Sequence, residues 1–332
     1  MKTYIVGNWK MNFTVGEASI YLHKLLKKIP NYRDIEVIVA PSTVALQSLS
    51  LQVDRHKMKL AAQNAFYNDF GAYTGETSFA QLKGLADYCI VGHSERRYLF
   101  NENDKMIQKK VAAAVRNRIT PILCVGETES ERAFGETADV IRDQVFGGLA
   151  DVSEEDIDNV IIAYEPVWAI SSTKASKLAS PDDIADAVKM IRENLKEIYG
   201  EKIAEGIPIL FGGSVNPSNA GAYLTVPGVN GLLIGGASLI LSEFAITFKT
   251  IPTIVKIVTL ITSVIQVSYD LIACIQIKKT VEEAVNSMAI QKGLSIMNIG
   301  VIKSKAIKVV AGTTALLELI KPPNIKSKEI ER

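Results

Sequence analysis

The chain is poor in the residues that most often mark chemistry. Of 332 residues only three are cysteine (Cys89, Cys124 and Cys274), each inside an apolar run and none in a CxxC pair. That spacing excludes a disulfide framework and a zinc ribbon, and leaves three reduced core thiols as the expectation. An excess of one charge is also missing. Lysines and arginines number 37 against 36 acids, which argues against a nucleic-acid binder driven by bulk charge. Histidine occurs three times, at His23, His56 and His93, so any histidine chemistry has a short list of sites. The opening residues carry no long apolar stretch with a cleavage site, so no signal peptide is expected and the chain reads as cytoplasmic. No GxGxxG follows the first apolar run, which removes the usual mark of a doubly wound dinucleotide fold. Ile257 to Ile277 comes nearest to a membrane span, but Gln266, Asp270 and Gln276 make crossing costly.

What is present is a repeated alternation. Short apolar runs fall at Tyr4–Trp9, Glu36–Ala40, Lys59–Gln63, Tyr88–Gly92, Ile122–Gly126, Val160–Glu165, Ile207–Phe211 and Gly231–Ile234. Most are rich in Val, Ile or Leu, as parallel strands buried on both faces should be. Between them lie amphipathic stretches, among them Val15–Ile29, Asp104–Arg118, Asp182–Tyr199 and Ser238–Phe248. Eight strand-then-helix units in about 250 residues predict an α/β chain closed as a (β/α)8 barrel.

In such a barrel the carboxyl ends of the strands carry the site. Glu165 sits where the sixth strand ends, and Pro166 stops the strand immediately after it. A carboxylate there is poorly placed for stability and well placed for chemistry. The first strand ends Gly7-Asn8-Trp9-Lys10, and the fourth ends Gly92-His93-Ser94-Glu95-Arg96-Arg97. The seventh ends Phe211-Gly212-Gly213-Ser214 and the eighth Gly235-Gly236-Ala237-Ser238. Paired glycines let backbone N–H groups approach an anion, and the loops after strands seven and eight are the usual phosphate site of the barrel.

With Cys124-Val125-Gly126-Glu127 and Ala163 to Ala169, these motifs, in order and each at a strand end, closely resemble the triosephosphate isomerases over about residues 1–249. The resemblance implies a TIM barrel that interconverts dihydroxyacetone phosphate and glyceraldehyde 3-phosphate, a step of glycolysis and gluconeogenesis. It implies Glu165 as the base, His93 as a neutral imidazole polarising the carbonyl, and Lys10 and Asn8 at the substrate oxygens. Ser171, Ser214, Gly235 and Gly236 would hold the phosphate. Glu95 is a second acid beside Lys10, and an ion-pair partner is its preferred reading. Cys124 matches a family cysteine, with packing its expected role. Neither metal nor cofactor is implied. A homodimer is, through the loop Asn64–Ser78, with Thr74 reaching toward the neighbour's site; the alternative is a loop folded on its own barrel.

Three departures stand out. Where the family usually has Ile-Gly-Thr-Gly-Lys as a lid, this chain has Ile170-Ser171-Ser172-Thr173-Lys174, followed by a long link to Pro181. Where the family commonly has tyrosine before the seventh-strand glycines, Phe211 lacks the hydroxyl that helps to latch the lid, so a less favoured or differently latched closed state is expected. Residues 250–332 lie outside the resemblance and carry 11 Lys/Arg against 6 Asp/Glu. Apolar residues from Ile254 to Ile275 at helical spacing predict a helical appendage for packing or assembly, although many are β-branched and a strand stays open. Thr280-Val281-Glu282-Glu283 is a capping-box signal, and attachment to a membrane surface is the alternative role. Two other functions also remain open: a barrel retained as a scaffold for the tail, and an isomerase of a larger phosphorylated sugar.

Overall fold

The computed structural model describes residues 2–29, 33–170, 177–245 and 247. Ser171 and the appendage at 250–332 fall outside the described residues. Eight strands pair in sequence order, all parallel, and β8 pairs back onto β1 to close the barrel. They are β1 (Thr3–Asn8), β2 (Ile35–Ala40), β3 (Lys59–Ala62), β4 (Tyr88–Val91), β5 (Thr120–Val125), β6 (Ile161–Tyr164), β7 (Ile209–Phe211) and β8 (Gly231–Ile234). The helices in chain order are α1 (Val15–Leu26), α2 (Thr43–Ser50), α3 (Phe79–Leu82), α4 (Ser94–Leu99), α5 (Asp104–Arg116), α6 (Glu129–Ala133), α7 (Thr137–Leu149), α8 (Pro181–Tyr199), α9 (Glu201–Ala204) and α10 (Ala220–Leu224).

The period-two geometry of a strand sends alternate residues to opposite faces. Val6, Ile38, Ile90, Ile122, Cys124, Ala163, Leu210 and Leu233 accordingly form one buried cluster inside the barrel. Ile5, Val37, Val39, Leu60, Val91, Leu123, Ile162 and Leu232 face the other way and join helix residues such as Leu22, Leu46, Ile107, Val145 and Ile191. Several helix starts are set locally by capping boxes, including Thr14 with Glu17 for α1, Thr128 with Glu131 for α6, and Ser180 with Asp183 for α8. Each satisfies backbone donors that the first turn leaves open. Cys89 and Cys124 are buried and free, and burial pushes the Cys89 thiol up to about 12.

The ladders stop one residue before several of the expected ends, and the shift is informative. Trp9, Gln63, Gly92, Gly126 and Glu165 each follow the last paired residue of their strand. These residues lie at the edge of the ladder: Trp9 N–H still donates to Ala40 O and Glu165 N–H to Val125 O, and beyond them the chain turns onto the rim. The helix expected over Ser238–Phe248 is broken. A 3-10 turn covers Gly236–Leu239, Ile240 is extended, and helix resumes at 241–245. Ser238 is the cause: it is wholly buried, and its hydroxyl is held by Gly235 O at 2.6 Å. Tyr21 on α1 donates to Ser238 O at 2.6 Å. That bond ties the turn to the end of β1 through the Trp9–Tyr21 ring contact at 5.1 Å.

Candidate active site

Three strand ends bring their polar groups together. Lys10 follows β1 in the left-handed region at φ 51°, a conformation that costs a lysine about 1–3 kcal/mol and persists only where neighbours enforce it. They do so here: Lys10 N–H donates to Asn8 Oδ1 at 3.0 Å, and Gln63 Nε2 donates to both Lys10 O and Ala40 O at 2.8 Å. The turn aims the ammonium across the barrel mouth at Glu95 Oε1, 2.6 Å away and 85 positions later in the chain. Asn8 and Glu95, expected as substrate ligand and lysine partner, both stand in this cluster.

His93 is the N-cap of α4. Its Nδ1 accepts from Glu95 N–H at 3.2 Å. With Nδ1 occupied as an acceptor, the proton of the neutral ring lies on Nε2. Nε2 is 3.1 Å from Glu165 Oε1, and Ser94 N–H donates to Glu165 Oε2 at 3.2 Å. Glu165 is therefore gripped by one imidazole and one helix N-terminus, with 2% of its surface exposed. Burial opposes a charge on His93, but the Glu165 carboxylate outweighs it and holds the pKa above the ordinary 6.5. The Lys10 ammonium works in the opposite direction.

Glycines make room for this residue, Gly126 for its backbone and Gly212 for its side chain. A Cβ added to Gly126 would lie 2.1 Å from Glu165 O, and one added to Gly212 would lie 2.8 Å from Glu165 Cγ. Glu165 N–H donates to Val125 O at 2.7 Å, and Gln144 clamps Gly126 by its N–H at 2.7 Å and its carbonyl at 3.3 Å. The β6 end is thus fixed against β5 up to the residue that carries the acid.

Sequence reasoning missed several supports. Glu127 is wholly buried and accepts from Trp168 Nε1 at 2.8 Å and from the Tyr164 hydroxyl at 3.1 Å. Arg132 lies over the Trp168 ring at 4.4 Å and pairs with Asp183. Together they pin the 3-10 turn Val167–Ala169 that follows Glu165. Arg97 donates to Gly92 O at 2.8 Å and Cys124 O at 3.2 Å, joining the ends of β4 and β5. The signal available in the sequence was a charged residue within a few positions of a strand end, and it did not reveal the partner.

The expected phosphate residues present backbone rather than charge. Ser214 N–H donates to Ala169 O at 2.9 Å, so it is engaged with the segment that follows Glu165. Gly235 lies beside Lys10: a Cβ there would stand 3.6 Å from Lys10 Cε, whereas one at Gly236 would meet nothing within 4 Å. An open depression of about 300 Å³ is lined by Asn8, Lys10, Gln63, Asn64, His93 and Glu95 among others. Glu165 lies behind His93, outside that lining. Among the described residues no group of acids, cysteines and histidines could hold a metal ion.

The family model for triosephosphate isomerase matches residues 3–251. The chain belongs to the triosephosphate isomerase family. It is 43% identical over 242 residues to the triosephosphate isomerase of Caldanaerobacter subterraneus, covering 73% of this chain and 96% of that protein. It is 42% identical over 251 residues to that of Chloroherpeton thalassium, covering 75% and 98%. It is 39% identical over 244 residues to that of Streptococcus mutans, covering 73% and 96%. Each of these relatives is spanned nearly end to end, and the shared region ends where the appendage begins.

Proposed function

We infer that the chain interconverts dihydroxyacetone phosphate and D-glyceraldehyde 3-phosphate through an enediolate. The observation that carries the assignment of roles is the placement of Glu165, buried against His93 Nε2 and Ser94 N–H with Lys10 held across the same mouth. Glu165 is the base. It must turn away from His93 and Ser94 to reach a carbon-bound proton, and its carboxyl, which exchanges that proton with solvent, then protonates the neighbouring carbon. His93 Nε2–H then faces the carbonyl oxygen and stabilises the enediolate charge. Once Glu165 has left, burial, Lys10 and the Glu95 N–H on Nδ1 favour the neutral ring against the smaller opposing pull of the Glu95 carboxylate, and that is the form that donates without surrendering its proton. Lys10 adds a fixed positive charge, supported by a hydrogen-bonded turn and by Glu95. Asn8 completes the polar rim.

The phosphate is held by backbone N–H groups of Ser214, Gly235 and Gly236, with Ser171 contributing from the lid. Because Ser214 N–H is engaged with Ala169 O, phosphate takes that donor by displacing a carbonyl four residues beyond Glu165. Substrate binding and release of the base are in this way connected through one hydrogen bond. The working unit is a barrel over 1–249 with a separate extension at 250–332. Exposed Met11, Phe70 and Tyr73 near the loop 64–78 support a homodimer, acting in the cytoplasm. No observation favours the scaffold reading over catalysis. A coupled assay of triose phosphate interconversion tests the assignment: activity well above a Glu165→Gln control is expected, and none above it would reject an isomerase. Mass in solution, measured on the full chain, tests the dimer.

A further inference from the structure

The family commonly has a tyrosine where this chain has Phe211. That ring is 1% exposed, and its para carbon is so close beneath Gly213 that a Cβ there would lie 2.4 Å from it. A hydroxyl is nevertheless present one ring away. Tyr223, on α10, meets Phe211 edge-on with ring centroids 4.7 Å apart. Its hydroxyl donates to Ala179 O at 3.2 Å and receives Asn219 Nδ2 at 3.5 Å. Asn219 Nδ2 also donates to Ser214 O at 3.0 Å. Its own Oδ1 accepts from Asn216 N–H at 2.8 Å, which fixes the direction in which the amide faces. Ser214 N–H then donates to Ala169 O at 2.9 Å.

One chain of hydrogen bonds therefore runs from Ala179 through Tyr223, Asn219 and Ser214 to Ala169. Its two ends bracket the segment that follows the base, and its middle is the loop read as a phosphate ligand. Tyr223 is 4% exposed and Ala179 is 4% exposed, so the link lies away from water, where a lost partner leaves a buried carbonyl unsatisfied. We propose that Tyr223 is a positioning residue for the phosphate end of the site. It acts through Asn219 on Ser214 and through Ala179 on the chain returning from the Glu165 segment. Here the hydroxyl comes from a helix and holds Ala179, at the far end of the same segment. The kinetic part of the proposal rests on the isomerase reading above, and the structural part does not.

The test compares Tyr223→Phe, Tyr223→Leu, Asn219→Ala and the Tyr223→Phe/Asn219→Ala double variant with the full wild-type chain. Tyr223→Phe keeps the ring and should leave the thermal midpoint nearly unchanged, while KM for glyceraldehyde 3-phosphate rises roughly 3- to 10-fold and kcat changes less, as expected when one hydrogen bond that positions a binding loop is lost. Asn219→Ala should reproduce the effect, and the double variant should be no worse than the worse single, because both break one relay. Tyr223→Leu should lose stability as well. A second readout needs no activity: trypsin should cut faster after Lys177, whose side chain is 81% exposed two residues before Ala179, in Tyr223→Phe than in wild type. Wild-type kinetics and wild-type cleavage in Tyr223→Phe would overturn the proposal. So would fully additive effects in the double variant, or a fall in stability with KM unmoved. A wild-type chain without isomerase activity would reject the function, and the Lys177 cleavage comparison would still decide whether Tyr223 anchors this segment.

Discussion

The two halves of the barrel mouth are built on different principles. On one side, the ends of β1, β4 and β6 carry charged and titratable side chains that meet across large gaps in sequence: Lys10 on Glu95, and Glu165 on His93 and Ser94. On the other side, the ends of β7 and β8 present backbone, glycine and neutral hydrogen bonds, with Ser214 N–H on Ala169 O and the Tyr223 hydroxyl on Ala179 O. In the proposed function the first half changes charge during proton transfer, so it needs particular side chains. The second would grip an anion that does not react, for which amide groups at fixed spacing suffice. Changes on the first side should therefore appear in kcat, and changes on the second in KM.

The largest expected effect is Glu165→Gln. The shape is kept and the base is lost, so kcat should fall about 10²- to 10⁴-fold with KM little altered; steady-state kinetics beside circular dichroism check both points. Lys10→Met comes next. Loss of one fixed charge facing the developing oxyanion should lower kcat/KM about 10²- to 10³-fold. A variant that changes only KM would move Lys10 to the other side of the comparison. Gly236→Ala probes the phosphate side. Its Cβ meets nothing within 4 Å, so the fold should persist; the amide N–H is kept, and the methyl crowding the anion, which weakens one hydrogen bond by ~1.5 kcal/mol, should raise KM about tenfold with kcat kept. The smallest effect is on His93. Its pKa lies above 6.5 because the nearby Glu165 carboxylate outweighs burial. Removing that carboxylate in Glu165→Gln leaves burial and Lys10, which lower the pKa, against only the smaller raising effect of the Glu95 carboxylate, so the NMR titration of His93 should move to lower pH. An unchanged or higher value would break the account of how the pair is held.

This division also explains what could be read from the sequence. Buried parallel strands are almost continuously apolar, so their number and order were legible, and Glu165, His93, Lys10 and Asn8 were legible as polar residues at or just past strand ends. Glu127 follows a strand in the same way, yet nothing in sequence indicated that it would be buried under Trp168 and Tyr164 rather than face a ligand. Gly126 leaves room for the backbone of Glu165 and Gly212 for its side chain, distances fixed only once the strands are neighbours. Ser238 belongs to an apolar helical pattern but turns into the core, because its hydroxyl finds Gly235 O and Tyr21 finds its carbonyl. Tyr223 reads as one more core aromatic until α10 places its hydroxyl on Ala179. What escaped was in each case a contact made by backbone or between distant elements.

If Glu165 takes a proton from one carbon and protonates its neighbour through an exchangeable carboxyl, the proton it delivers comes in part from solvent. Interconversion of the triose phosphates in deuterium oxide tests this most directly, with the product examined by mass spectrometry and proton NMR. The account predicts carbon-bound deuterium in the product made by the wild-type chain, and loss of both exchange and conversion in Glu165→Gln. Conversion by wild type with no deuterium on carbon, or exchange by Glu165→Gln at the wild-type rate, would contradict it.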